Sequence, residues 1–114
     1  MEREQLLANF WQGFSHPVRL KILYLLASAG PQYVSQLVEA IGIGQGHLSN
    51  HLACLRNCGL VVTEAHGRFV QYAIKDERVI SLLRTGENVV ADHIQGIATC
   101  PVIQPTIEKN EPKS

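Results

Sequence analysis

"SQLVEAIGIGQGHLSNHLACLRNCGL", residues 35–60, decides the fold. Ser35 is expected to open a short helix whose apolar positions are Leu37, Val38 and Ile41. "GIG" at 42–44 breaks it. A second helix follows from about Gln45 to Cys58, with Gly59 as its stop. Two helices joined by a glycine-containing turn read as a helix-turn-helix. In the longer helix Leu48, Leu52 and Leu55 fall on one apolar face, at i, i+4 and i+7. Ser49, Asn50, Ala53, Arg56 and Asn57 fall on the opposite, polar face.

The flanks complete the pattern. Upstream, Leu6, Leu7, Phe10, Trp11 and Phe14 recur at helical spacing. Ser15 and Pro17 are suited to cap and start a further helix carrying Val18, Ile22, Leu25 and Leu26, which ends at Gly30-Pro31. Downstream, "LVVTEAHGRFVQYAI" holds strand residues on both sides of a turn at Gly67, which predicts a β-hairpin. Asp76 can cap a last long helix with Val79, Leu83, Val90, Ile94 and Ile97 on one face, ending at Thr99-Cys100-Pro101. The expected fold is mainly α with a β-hairpin: a winged helix-turn-helix. The first and last helices keep apolar faces that a small domain cannot fully cover, so homodimerisation through them is expected. Residues 1–98 would form the DNA-binding and dimerisation domain. Residues 99–114, with three prolines and many polar residues, would be a mobile tail.

Length and charge agree with one small domain. The chain has 114 residues and a formal net charge of zero. Six Lys/Arg against four Asp/Glu lie in residues 1–75, with four of the five histidines, so the thin basic excess sits with the helix-turn-helix. No apolar run approaches the ~18 residues of a membrane span, and the N-terminus does not read as a signal peptide. A cytoplasmic protein without a membrane partner is expected. Its three cysteines are an odd number, which rules out a complete disulfide framework within one chain.

His47, His51, Cys54 and Cys58 form one stripe on the fourth helix. Over about 16 Å, at 1.5 Å per residue, one ion cannot touch both ends. The stripe therefore divides. Its front belongs to the end that enters the major groove in a helix-turn-helix. Gln45, His47, Ser49, Asn50 and His51 are candidate base or phosphate contacts, with Arg56 behind them on the polar face. Asn50 is a candidate adenine reader. His66 and Arg68, at the hairpin turn, are candidate wing contacts. Cys54 and Cys58, at the back, can point two thiolates at one ion, and Cys100 on the tail can close onto them. Three thiolates favour soft ions over Mg²⁺ or Ca²⁺. "HLSNH" resembles the metalloprotease HExxH spacing, but Leu48 stands where the general-base Glu is needed. No other catalytic constellation stands out, so an enzyme is not expected.

"SHPVRLKILYLLA", "LVEAIGIGQGHLSNHLACLRNCGLVVTEAHGRFVQYAI" and the long last helix resemble the ArsR/SmtB family of metal-sensing repressors, over about residues 10–100. Residues 49–61, "SNHLACLRNCGLV", are most similar to the actinobacterial cadmium/lead-sensing branch. The resemblance implies a homodimer that binds operator DNA when metal-free and releases it when metal binds. It implies that the ligands are Cys54, Cys58 and Cys100, with Cd(II) or Pb(II) as inducer ahead of As(III) or Zn(II). Other metal sites of the family are not matched: "PQYVSQLVEA" has no cysteine, and Asp92 and His93 are adjacent, as on an ordinary surface of a dimer helix. Gly44-Gln45-Gly46 stands where relatives often have Ser or Thr. The competing expectation is a thiol redox or persulfide switch on the same fold and cysteines.

Overall fold

A computed structural model describes residues 1–99. Cys100, and with it the tail from residue 100 onward, lies outside the described residues. Two compact units divide the chain, Met1–Ile80 and a second that begins at Ser81.

The first unit carries the helix-turn-helix. Helix α1 (Arg3–Trp11) runs into a 3-10 turn (Gln12–Phe14), then α2 (Pro17–Ala29). A two-residue strand β1 (Gln32–Tyr33) leads into α3 (Val34–Ile41), α4 (Gln45–Asn57), β2 (Val62–His66) and β3 (Phe69–Ala73). The strands form an antiparallel sheet in the order β1-β3-β2. His66 pairs with Phe69 across the two-residue turn Gly67–Arg68, which makes the hairpin the wing. Strand β1 was not expected. Only two of its residues pair, too few to show a period-2 pattern.

The expected apolar face of α4 forms the core. Leu48, Leu52 and Leu55 are buried with Ile22, Leu23 and Leu26 of α2, Leu37 of α3, and Leu60 and Val61 after α4. Each such side chain contributes about 1.5–3 kcal/mol when removed from water. No polar or charged residue is buried with them among the described residues. The end of α4 is fixed by a Schellman turn. The Leu60 N–H donates to the Leu55 carbonyl and the Gly59 N–H to the Arg56 carbonyl, both at 3.0 Å. Gly59 takes φ +79°, which a side chain resists, while Leu55 and Leu60 close the motif from the core side. Gly59→Ala is expected to cost about 1–2 kcal/mol, read as a lower urea midpoint.

Two local expectations are corrected, and the last helix holds a kink that was not foreseen. His16, not Ser15, caps α2: its Nδ1 accepts from the Val18 N–H at 3.1 Å, while the Ser15 hydroxyl donates back to the Trp11 carbonyl. A serine hydroxyl that satisfies the preceding turn is not available to the next one. Helix α3 starts at Val34, not Ser35, because the Gln36 side chain accepts from the Tyr33 N–H at 2.7 Å and fixes the start one residue earlier. The last helix, α5 (Glu77–Ala98), is not one straight rod. Asp76 caps it through the Arg78 N–H as expected, but His93 leaves helical geometry at φ −132°, ψ 27°. The His93 ring nitrogen Nδ1 lies 3.1 Å from the Val89 carbonyl, the oxygen that the His93 backbone amide would use. A side chain inserted into the i→i−4 ladder is an established cause of a kink.

In the second unit α5 leaves Val89, Val90 and Ile94 exposed. In the first, α1 buries none of its residues and exposes Leu6, Leu7 and Trp11. Its aromatic residues stack on one another: Phe10 with Trp11, Phe10 with Phe14 and Trp11 with Phe14, at centroid distances of 5.1 to 5.6 Å.

Candidate functional site

Helix α4 positions most of the candidate residues. Gln45, His47, Ser49, Asn50 and Arg56 are exposed, on the side away from Leu48, Leu52 and Leu55. Gly44 at the N-cap brings no side chain, so no side-chain cap occupies the amides of the first turn. Such a helix start favours phosphate oxygens. Arg68 is exposed at the tip of the wing. His66 Nε2 sits 3.2 Å from Glu64, and the Tyr33 ring meets both His66 and Phe69, the pair that flanks the turn.

His51 is different. It is half-buried and turned toward α2. Arg19 Nη1 lies 3.2 Å from His51 Nδ1, and Arg19 Nη2 donates to the Gln12 carbonyl at 2.7 Å. A guanidinium has no acceptor, so His51 Nδ1 must accept and the proton of the neutral ring sits on Nε2. The His16 ring stacks at 4.4 Å, tilted by 46°. Burial, then the charges of His16, Arg19 and His47, hold His51 below its ordinary value of 6.5. Arg19 is therefore a hub linking the 3-10 turn, α2 and α4. Sequence reasoning did not single it out. Its one legible signal was a charged residue beside the apolar positions Val18 and Ile22 of a half-buried helix.

This arrangement has a sign. The unfolded chain binds a proton at His51 more readily than the folded one. The stability that neutral His51 contributes is thus present above 6.5 and lost as the pH falls through its lowered folded value. The urea midpoint is expected to drop between pH 7 and 5, and less steeply in His51→Gln. An identical pH dependence in the two proteins would contradict this.

The thiols occupy the far end of α4. Cys54 and Cys58 are half-buried and not disulfide-bonded. Cys58 Sγ donates to the Asn9 carbonyl of α1 at 3.3 Å, within hydrogen-bonding reach of Cys54 and facing the Gly13 amide. Burial pushes the Cys58 thiol up, and the neighbouring Cys54 pushes it further. Gly13 permits the close approach: a Cβ there would clash with the Leu60 side chain and lie 3.6 Å from the Cys58 Cβ. Beside the thiol is an open cleft of about 430 Å³ lined by Met1, Leu6, Asn9, Phe10, Asn57 and Cys58. Among the described residues no three His, Cys, Asp or Glu side chains gather as a metal cage. The third expected ligand, Cys100, lies outside them. Asp92 is exposed, and His93 is engaged with Val89.

The architecture and this helix have counterparts among known proteins. Residues 16–63 match the profile of bacterial regulatory proteins of the arsR family. The HTH-type transcriptional regulator CmtR of Mycobacterium tuberculosis (strain ATCC 25618 / H37Rv) is 41% identical over 81 residues, spanning 71% of this chain and 68% of that one. The chain belongs to the arsR family. A probable mercury resistance operon repressor of Streptomyces lividans is 32% identical over 93 residues, spanning 82% of this chain and 74% of that protein. The crystal structure of M. tuberculosis Rv0081 superposes with a TM-score of 0.76 at 28% identity, covering 84% of this chain and 97% of the other. ArsR-family proteins are DNA-binding transcriptional regulators, typically dimers, and not enzymes. The matched segment of this arsR-family regulator runs from His16 to Thr63, so it contains Arg19, His51, Cys54 and Cys58. No described helix is long and apolar enough to cross a membrane.

Proposed function

We propose that this regulator is a metal-responsive repressor. As a metal-free homodimer it binds operator DNA, and it lets go when a soft thiophilic ion, Cd(II) or Pb(II), is held by Cys54, Cys58 and Cys100. The observation that carries this reading is the pair of thiols, side by side on the same rigid helix as His47, Ser49 and Asn50. The donor set fits a soft ion. The relation to a protein described as a mercury resistance repressor supports the same chemistry. Exposed Leu6, Leu7 and Trp11 on α1, and Val89, Val90 and Ile94 on α5, supply apolar surface for the dimer.

The response has a physical basis in Cys58. As a thiol it donates to the Asn9 carbonyl. As a ligating thiolate it has no proton to donate, and its charge repels that oxygen. The contact between α1 and the end of α4 is thereby lost or inverted. A dimer must match two half-sites about one DNA turn apart, so a small change in α4 orientation costs affinity on both. DNA in turn weakens metal binding by the same factor. The thiol redox alternative uses the same cysteines, and a thiolate-to-metal charge-transfer band in reduced protein separates the two readings.

The reading is tested with a labelled duplex from upstream of the protein's own gene. Fluorescence anisotropy should show salt-dependent binding by reduced, metal-free protein and release on adding Cd(II) or Pb(II). Binding that neither ion weakens would refute the reading.

A further inference from the structure

His16 and His51 come from different helices, and each ring has one nitrogen already assigned. His16 Nδ1 accepts from the Val18 amide, and His51 Nδ1 accepts from Arg19. In the neutral ring each proton is therefore on Nε2. Two imidazoles 4.4 Å apart thus present two N–H donors of fixed tautomer. Both rings belong to half-buried residues. Among the described residues, Arg19 Nε is the side-chain nitrogen or oxygen that is both sealed from solvent and without a partner, and neither Nε2 is in that state.

The pair suits an anion. Arg19 places a fixed positive charge beside it, and no third ligand stands by to hold a cation. Its place in the fold narrows the choice further. His51 follows exposed His47 by one turn on α4, on the flank turned toward α2. When a recognition helix lies in the major groove, its outer face meets base edges and its flanks face the phosphate ridges. We propose that the His16 and His51 Nε2–H groups together bind one backbone phosphate of the operator DNA in each half-site. Two rings 4.4 Å apart can share the oxygens of one phosphate when both Nε2–H groups turn to it, at ordinary hydrogen-bond lengths near 2.9 Å. This assigns His16 to the DNA interface and makes His51 a positioning contact that carries no sequence information.

The inference rests on the reading of α4 as the DNA-binding helix, and the test separates the two. His16→Asn keeps an oxygen that can cap α2, and His51→Gln keeps an acceptor for Arg19, while each removes the ring donor. Binding is measured on the duplex from upstream of the gene and on a randomised duplex. Each variant should bind both about three- to tenfold more weakly, the scale of one hydrogen bond. The ratio between the two duplexes should not change, and melting temperatures should stay near the parent's. A methylphosphonate scan should find one position per half-site that weakens the parent but not the double variant. A changed ratio between duplexes, which signals base reading, overturns the proposal, as does parent-like binding or the lack of such a position. No binding of either duplex by the parent would instead overturn the underlying reading of α4, and the proposal with it.

Discussion

Replacing Cys58 by serine is expected to abolish the metal response while leaving metal-free DNA binding within about threefold of the parent. The serine hydroxyl can still donate to the Asn9 carbonyl, so the junction between α1 and α4 keeps its hydrogen bond. What goes is a thiolate ligand. Loss of a group that merely supports a ligand costs about 10–100-fold in metal affinity, and loss of the ligand itself should cost at least a hundredfold. Isothermal titration with Cd(II) reads the first quantity and DNA anisotropy the second. Because Cys58 is pushed up by burial and by Cys54, bound metal must displace its proton. Apparent affinity in the parent should therefore rise with pH, by about tenfold per unit for each thiol proton displaced. A Cys58→Ser protein that still releases DNA on metal addition would contradict the assignment.

The second large effect falls on Arg19, whose charge also acts on the Cys58 thiol. Arg19→Ala should destabilise the chain by about 3 kcal/mol. It strips a charged donor from the Gln12 carbonyl and from His51 Nδ1, and bonds from charged groups are worth roughly 1.5–3 kcal/mol each. Arg19→Lys should recover only part of this, because an ammonium is one point charge and cannot span both acceptors as a fork. Urea unfolding measures both variants. A cost for Arg19→Ala below about 1 kcal/mol would show that the hub is a solvated surface contact.

The contrast between these two residues explains what the sequence made legible. The helix-turn-helix is encoded locally, by Leu48, Leu52 and Leu55 at helical spacing and by glycines at 42, 44 and 59. Such patterns survive without knowledge of the partner surface. The hairpin was legible for the same reason, while the two-residue β1 was not. The division of the stripe was legible from length alone, since one ion cannot span three turns. What escaped is everything set by contacts distant in sequence. Cys58 meets Asn9, 49 positions away, and His51 meets Arg19, 32 positions away. No periodicity announces either contact. His51 looked like an open groove residue because its neighbours in the sequence are, yet its ring is held by α2. His93 is exposed, and its ring also lies against the carbonyl that would keep α5 straight.

Thiolate ligation is the central claim, and ultraviolet absorption tests it most directly. Fully reduced, metal-free protein is titrated with Cd(II) and then with Pb(II), alongside Cys54→Ser, Cys58→Ser and Cys100→Ser. The account predicts a thiolate-to-metal charge-transfer band that saturates at one ion per protomer in the parent and is lost or strongly reduced in each variant. A parent protein that gives no such band with either ion, while still folded and still binding DNA, would contradict it.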